Sequence, residues 1–322
     1  RISLFRRSIP SRAGRTMERR RTVLILQLGL FGVLMGAARA LSVVRRKRAK
    51  SKVVVVKFGG AAITVKSKLR CLNSEALAQC ASAVAAARSA GWSVVVVHGA
   101  GSFGHFEAKK FGLSRGASHA EWRHGLVQTR AAVCELNALT VAALDEAGVA
   151  AVGLSPLALV RTKEVRAGQI KGCRRLAMAA RDALGAGFVP VVHGDALFDA
   201  EQGCSILSGD VLCHALCDHL NAEKAVFVTD VEGIYDRPPL EKGARLLRHL
   251  TAIPAPFRIR ALLTGRPQPA PLLDSNIHTS SKLDHDVTGG MAAKLDAALR
   301  CAALKAPVTI VSVPYAEKAL LA

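Results

Sequence analysis

The sequence predicts an α/β protein with a buried parallel sheet, and three observations support this class. Half of the residues are hydrophobic while only 4% are aromatic, which suits valine-rich strands and alanine-leucine helices. Uninterrupted valine runs at 53–56 and 94–97 are typical of strands that are buried on both faces of a parallel sheet. A helical segment separates the two runs, so they form a strand–helix–strand unit.

The first strand is predicted at 53–58 and ends where Gly59 and Gly60 follow it. Lys57 lies at the end of this strand, where a charge is costly unless it meets an anion. We therefore expect Lys57 to contact phosphate. The next helix is predicted over 74–90, because capping residues precede it and a glycine follows it.

The second strand leads into a glycine-rich loop at 99–105 with the sequence GAGSFGH. Its glycines have the spacing of a dinucleotide-binding fingerprint, but no second strand ending in an acidic residue follows about 20 positions later. A Walker A loop is also excluded, because His105 and Phe106 stand where Lys and Ser or Thr are required. The loop instead predicts a backbone cradle for phosphate, with the His105 side chain at its edge.

Strand and helix patterns alternate along the rest of the chain. The proline-rich and basic stretch at 238–275 is predicted to be a long loop or lid. Two glycines precede the last long helix, which carries Lys294, and this arrangement again favours phosphate. The other predicted elements are a helix over 120–147, a strand at 149–154, a helical stretch at 172–184, strands ending near 193 and 230, a helix after 210 and a strand at 308–311.

The positive charge is concentrated at one end of the chain. Of the net charge of +21, +13 falls within residues 1–50 and +8 in the remainder. This moderately basic remainder fits anionic ligands, and no basic-aromatic interleaving indicates nucleic acid. Within residues 17–40, a basic segment, an apolar run and a small-residue site resemble a secretory or organelle-targeting signal. We therefore expect a targeting-like, basic region at 1–51 and a folded domain at 52–322 that makes no membrane contact.

The eight cysteines are scattered and indicate no disulfide framework. Cys213 and Cys217 flank His214 at helical spacing. Because no second pair completes a zinc site, the sequence predicts no metal held by protein side chains.

Six motifs stand in order along residues 52–316. They are KFGG at 57–60 followed by Ile63, Thr64 and Lys66, GAGSFGH at 99–105, VPVVHGD at 189–195, ILSGD at 206–210, TDVEGIYD at 229–236, and DVTGGM at 286–291 followed by Lys294. Together they resemble the isopentenyl phosphate kinases, a family of the amino acid kinase superfamily. The histidine that ends the second motif, His105, distinguishes this family from most other amino acid kinases.

The resemblance implies a three-layer αβα fold around an open, mainly parallel sheet, usually as a homodimer and in the cytoplasm. It also implies a reaction, in which the γ-phosphoryl group of MgATP is transferred to isopentenyl phosphate. The product is isopentenyl diphosphate, a precursor of isoprenoids. The targeting-like segment at 17–40 is at odds with a cytoplasmic location.

The resemblance further implies roles for individual residues. Lys57 and Lys294 would hold the β- and γ-phosphates of ATP, and Lys66 would stabilise the group in transfer. His105 would bind the acceptor phosphate, Asp210 would orient the lysines, and Mg²⁺ would be held mainly by the phosphates of ATP. The other implied contacts are Gly59, Gly60, Ala61, Gly101, Asp230, Tyr235 and Gly290 for the nucleotide, and Ala100, Gly101 and Gly209 for the acceptor.

Two alternatives stay open from the sequence. One is a kinase of the same superfamily that acts on another prenyl phosphate, a phosphonate or a carboxylate. The other is a nucleotide-binding module without turnover. Lys57, Lys294 and His105 argue against such a module, since decayed kinases tend to lose charges of this kind.

Overall fold

The first valine run forms strand β1 (Val53–Phe58), all six residues of which are buried. β1 pairs in parallel with β2 (Ser93–His98) on one side and with β7 (Lys224–Thr229) on the other. This arrangement places β1 in the middle of a six-stranded sheet. The computed structural model describes residues 52–118, 120–160, 162, 172–235, 242, 246–247, 249–253, 258–262, 290–304 and 306–322.

The six strands follow the order β12–β7–β1–β2–β4–β3, and every neighbouring pair is parallel. The carboxyl ends of all six strands therefore point to the same edge of the sheet, which is where open α/β sheets bind ligands. The bounds of the other strands are β3 (Ala151–Leu154), β4 (Val189–His193), β5 (Asp195–Asp199), β6 (Gly203–Leu207), β8 (Ile234–Tyr235), β9 (Leu246–Leu247), β10 (His249–Ile253), β11 (Arg258–Leu262) and β12 (Val308–Ser312).

Helices cover both faces of the sheet. Their bounds are α1 (Gly60–Ile63), α2 (Ser74–Ser89), α3 (His105–Lys110), α4 (Trp122–Glu146), α5 (Pro156–Leu159), α6 (Arg174–Gly185), α7 (Gly209–Leu220), α8 (Gly290–Ala303) and α9 (Ala316–Leu321). Among the residues that the structure describes, none of these helices combines the length and the apolar character that crossing a membrane requires.

Alternate residues of β1 face two separate cores, as the period of a strand requires. Val54 and Val56 pack in one core with α2, α4 and α9. Val53 and Val55 pack in the other core with α6, α7 and α8. The sheet is thus the middle layer of three, which confirms the predicted αβα fold with a parallel sheet.

Local signals in the sequence set the ends of two helices that matter for the site. Asn73 caps α2, with its side-chain oxygen accepting a hydrogen bond from the Ala76 N–H at 3.2 Å. Ser208 caps α7 by accepting from the Asp210 N–H at 3.2 Å. Both caps satisfy N–H groups that have no partner within the helix.

The structure also contains elements that the sequence analysis did not predict. β5 and β6 form an antiparallel hairpin directly after β4. A second hairpin, β10–β11, lies inside the stretch 238–275, so the prediction of a continuous loop there was wrong over 249–253 and 258–262. The rest of that stretch is outside the described residues except for 242 and 246–247, as is the region 1–51.

Candidate active site

Two glycine loops touch each other backbone to backbone at the carboxyl edge of the sheet. A Cβ atom on Gly60 would lie 2.3 Å from the Gly101 nitrogen, and one on Gly99 would lie 2.8 Å from the Gly60 nitrogen. Only glycine permits contacts this close. Gly101 also has a φ of +51°, which a side chain would disfavour. The loops that follow β1 and β2 therefore form a single surface.

The N-terminus of α7 forms the third wall of this surface. A Cβ on Gly209 would lie 3.1 Å from the His98 carbonyl oxygen and 3.5 Å from Cε of Lys57. A Cβ on Gly194 would lie 3.2 Å from the Gly209 nitrogen and 3.9 Å from the Ala100 nitrogen. We call Gly59, Gly60, Gly99, Ala100, Gly101 and Gly209 the glycine cradle. The helix dipole of α7 adds positive potential at its edge.

Lys57 forms a buried ion pair with the first turn of α7. Its Nζ lies 3.0 Å from Oδ1 of Asp210, and the two side chains are only 5% and 10% exposed. Lys57 reaches this position because it shares the face of β1 that packs on α7. A buried charge of this kind is tolerated when it is paired.

A second set of polar side chains lies at the end of β7. Lys294 of α8 donates to Thr229 Oγ1 at 2.7 Å, and the Thr229 hydroxyl donates to Asp230 Oδ1 at 3.1 Å. Asp230 also pairs with Lys66, whose Nζ lies 3.0 Å from Oδ2, and both side chains are over a third exposed. Lys66 and Lys294 are thereby joined through one threonine and one carboxylate.

The charges of the two sets of side chains influence one another. Burial, followed by the charge of Lys57, lowers the pKa of Lys294 to about 8. The Lys66 charge acts in the same direction, while Asp210 and Asp230 oppose it. Burial would raise the pKa of Asp230, but Lys66 and then Lys294 outweigh it and hold that pKa below its usual value. Three lysines and two carboxylates leave an excess of positive charge, which fits a polyphosphate.

His105 is the first residue of α3 and is half-buried. It follows Gly104, where a Cβ would lie 2.8 Å from the Ala100 side chain and 2.7 Å from that of Val133. This crowding fixes the turn between the cradle and α3. The backbone of His105 is therefore fixed next to the turn that packs against Ala100.

The remaining predicted residues are only partly described. Ala61 lies in α1 and is half-buried, and Gly290 is the first residue of α8. Tyr235 pairs through its backbone with Leu246, and its side chain lies outside the described residues.

Sequence reasoning missed the role of Thr64 in joining the two glycine loops. Its hydroxyl donates to the Gly60 carbonyl at 2.6 Å and accepts from the Ser102 N–H at 3.0 Å. Thr64 is 2% exposed. Thr64 belongs to the first motif, so its presence in the sequence was a signal of functional importance. Its partner loop is distant in sequence, however, and only the fold brings the two segments together.

A buried histidine pair behind the cradle was also missed. The rings of His98 and His193 are stacked with their centroids 5.7 Å apart. His98 Nδ1 lies 3.1 Å from the Gly99 carbonyl, and its Nε2 lies 3.1 Å from the amide nitrogen of Asn137. A neutral ring that donates from Nδ1 and accepts at Nε2 satisfies both contacts. Burial, and then His193, lower the pKa of His98 to about 3.

Comparison with known proteins agrees with this architecture. The model of the amino acid kinase family matches residues 52–312. An isopentenyl phosphate kinase of Arabidopsis thaliana is 35% identical, with 86% of this chain and 92% of that protein aligned. One of Methanothermobacter thermautotrophicus is 32% identical over 76% of this chain and 84% of its own length. A crystal structure of isopentenyl phosphate kinase is 29% identical with a TM-score of 0.65, covering 84% of this chain and 96% of that one.

The sheet, the glycine cradle and the match over 52–312 define a member of the amino acid kinase family. Within that family, the chain belongs to the isopentenyl phosphate kinases, as the identity of 35% over nearly the whole Arabidopsis protein shows.

Proposed function

We propose that this chain is an ATP-dependent kinase that converts isopentenyl phosphate into isopentenyl diphosphate. The observation that carries this proposal is the meeting of Lys57, Lys66 and Lys294 beside the glycine cradle. The relatives named isopentenyl phosphate kinase support the identity of the acceptor.

The reaction needs little from a general base. A phosphate monoester has its second pKa near about 6, so the acceptor oxygen is already ionised at neutral pH. That oxygen forms a bond to the γ-phosphorus while the bond from this phosphorus to the bridging oxygen breaks, and ADP leaves with the electron pair. The barrier lies in bringing two anions together and in stabilising a loose transition state, which placed cations and N–H groups achieve.

The charges of the site suit this task. We assign Lys57 and Lys294 to the β- and γ-phosphates, and Lys66, which is more exposed than Lys57, to the group in transfer. Asp210 fixes Lys57 through the pair at 3.0 Å. Asp230 fixes Lys66 in the same way, and we assign Asp230, with Gly59, Gly60 and Gly290, to the nucleotide.

Mg²⁺ fits this site only as a partner of the nucleotide. Oδ1 of Asp210 and Oδ2 of Asp230 each lie 3.0 Å from a lysine nitrogen, so neither carboxylate offers both oxygens to a cation. ATP phosphates would supply most of the ligands, as is common for this ion. The ion would neutralise charge on the phosphates, while the lysines position them.

The acceptor phosphate is proposed to bind between His105, Ala100 and Gly209. The close approach of Gly194 to both Ala100 and Gly209 brings the backbone of two walls together at this point. His105, at the start of α3, would add a side-chain donor to these backbone groups.

An acceptor assay tests the proposal. Release of ADP from MgATP would be followed with isopentenyl phosphate, a longer prenyl phosphate, an alkyl phosphonate and N-acetylglutamate as separate acceptors. We expect turnover with isopentenyl phosphate. For His105→Ala we expect a rise in KM for this acceptor of about 10- to 100-fold, the worth of one hydrogen bond to a charged group, with little change in KM for ATP. His219→Ala, an exposed histidine at the far end of α7, is the control. Turnover with N-acetylglutamate alone would contradict the proposal.

Two further expectations concern the whole protein. We propose a homodimer, on the basis of the family resemblance, and light scattering on the full chain tests it. We also propose that residues 17–40 act as a targeting signal, so that the location differs from the cytoplasm expected for the family. Imaging of the full chain and of a variant without residues 17–40, each fused to a fluorescent protein, tests this second proposal.

A further inference from the structure

Three cysteine side chains from two helices meet in the core beneath the active site. Cys213 and Cys217 are four residues apart on α7 and so lie on one face of it. Cys301 comes from α8. The three sulfur atoms all lie within 4.8 Å of one another. We call these residues the cysteine cluster.

Burial alone would not indicate a site, because a free cysteine is a common core residue. The convergence is what distinguishes the cluster. Cys80, for comparison, is equally buried at 0% exposure but lies in the other core, on α2. Cys213, Cys217 and Cys301 are 0%, 2% and 0% exposed and share the core between α7 and α8.

The spacing of the sulfur atoms fits a metal ion. Three thiolates at about 2.3 Å from one ion stand roughly 4 Å apart from each other. The sulfur atoms lie within 4.8 Å of one another, which is close to this spacing. Small rotations of the three side chains would bring the sulfur atoms to the distances that a bound ion requires. The described cysteines are all free, so no disulfide competes for these sulfur atoms.

The cysteine cluster lies between the two helices that carry Asp210 and Lys294. Cys213 follows Asp210 by one turn of α7, and Cys301 follows Lys294 by two turns of α8. An ion held by all three sulfurs would join the two helices that carry these active-site side chains. It would thereby fix their relative position.

We propose that Cys213, Cys217 and Cys301 form a binding site for one Zn²⁺ ion that cross-links α7 and α8. Thiolate ligands suit Zn²⁺, whereas Mg²⁺ prefers oxygen. The site is separate from the one for MgATP and does not depend on the proposed function.

Metal uptake by the full chain tests this proposal. The protein would be expressed in zinc-supplemented medium, and its metal content measured by mass spectrometry after removal of loosely bound ions. Titration of the metal-free protein with Cd²⁺, without nucleotide, would then be followed through the ultraviolet charge-transfer band of cadmium thiolates. Cys301→Ser is the test variant. Cys80→Ser is the matched control, since both cysteines are 0% exposed.

We expect one equivalent of metal, a saturable charge-transfer band and a metal-dependent rise in Tm for the wild type and Cys80→Ser. Cys301→Ser should lose all three. Uptake that is equal in the wild type and Cys301→Ser, or no uptake by the folded wild type, would overturn the proposal.

X-ray absorption on the zinc-loaded wild type decides the question even if Cys301→Ser fails to fold. A first shell with three sulfurs at about 2.3 Å supports the site. A shell of nitrogen and oxygen alone refutes it. Neither result depends on whether the protein turns over isopentenyl phosphate.

Discussion

Nζ of Lys57 lies 3.0 Å from Oδ1 of Asp210, and the two side chains are almost entirely shielded from water. The pair joins the end of β1 to the first turn of α7. Because Lys57 is buried in the sheet, Asp210 is the counter-ion that balances its ammonium group until a phosphate binds. The pair thus holds the Lys57 ammonium group beside the glycine cradle, where an anionic ligand would bind.

Asp210→Asn removes the charge that holds Lys57. We expect kcat to fall by about 10²- to 10³-fold. The free energy of unfolding should also fall, by about 3–5 kcal/mol, because Lys57 stays buried without its partner, although Ser208 still caps α7. Asp218→Asn is the matched control, as Asp218 is an exposed carboxylate on the same helix. Steady-state kinetics and circular dichroism on both variants check the prediction. Equal rates for the two variants would contradict it.

ATP binding should be coupled to proton uptake through Lys294. The pKa of this lysine is about 8, and the phosphates of ATP, being anions, favour its charged form and raise that pKa. Above about pH 8, the complex therefore binds more protons than the free protein does. Calorimetry of MgATP binding in two buffers of different ionisation enthalpy measures this uptake.

The uptake should be clear at about pH 9 and small at about pH 6.5, where Lys294 is already protonated. Lys294→Met should abolish it. Proton release on binding at the higher pH, or uptake that is unchanged in Lys294→Met, would show that Lys294 does not take up the proton.

Gly101→Ala tests the contact between the two glycine loops. At Gly101, φ is +51° and a Cβ would lie 2.3 Å from the Thr64 hydroxyl oxygen. At Gly148, φ is +77° but nothing lies within 4 Å, so Gly148→Ala has the backbone strain alone. We expect a loss in the free energy of unfolding of about 1 kcal/mol for Gly148→Ala and of about 2–4 kcal/mol for Gly101→Ala. Urea unfolding measures both, and equal losses would show that the loops do not meet as described.

Acid should destabilise the protein through His98. The pKa of His98 is about 3 in the folded chain, against 6.5 for a free side chain, so the unfolded chain binds the extra proton first. The free energy of unfolding should therefore fall as the pH drops below about 6.5, by up to about 1.4 kcal/mol per pH unit for this one group. Burial lowers the pKa of His193 as well, which adds a contribution of the same sign.

The change of the unfolding free energy with pH, rather than its value at one pH, shows whether His98 is responsible. His98→Gln should reduce the dependence of the unfolding free energy on pH between about 6.5 and 4.5. His219→Gln, an exposed histidine, should leave it unchanged. An unaltered slope in His98→Gln would mean that this histidine is not held neutral.

The sequence was sufficient where local pattern determines structure. The valine runs that became β1 and β2, and the residues that cap α2 and α7, are local signals of this kind. Because parallel strands end at one edge, Lys57 and the loop at 99–105 could also be placed together. Contacts between distant segments could not be predicted, since no local pattern encodes them. Thr64 bonds to Ser102, Asn137 lies against His98, and Cys301 joins Cys213 and Cys217 only because helices and loops pack in three dimensions.

The most direct test of the function is to identify the bond that is formed. Full-length protein would be incubated with MgATP and isopentenyl phosphate, and the mixture followed by phosphorus NMR. We predict that the monoester resonance of the acceptor disappears as two coupled diphosphate resonances and those of ADP grow in equal amounts, and that Lys57→Met prevents this. Release of inorganic phosphate, with the acceptor resonance unchanged, would contradict transfer to isopentenyl phosphate.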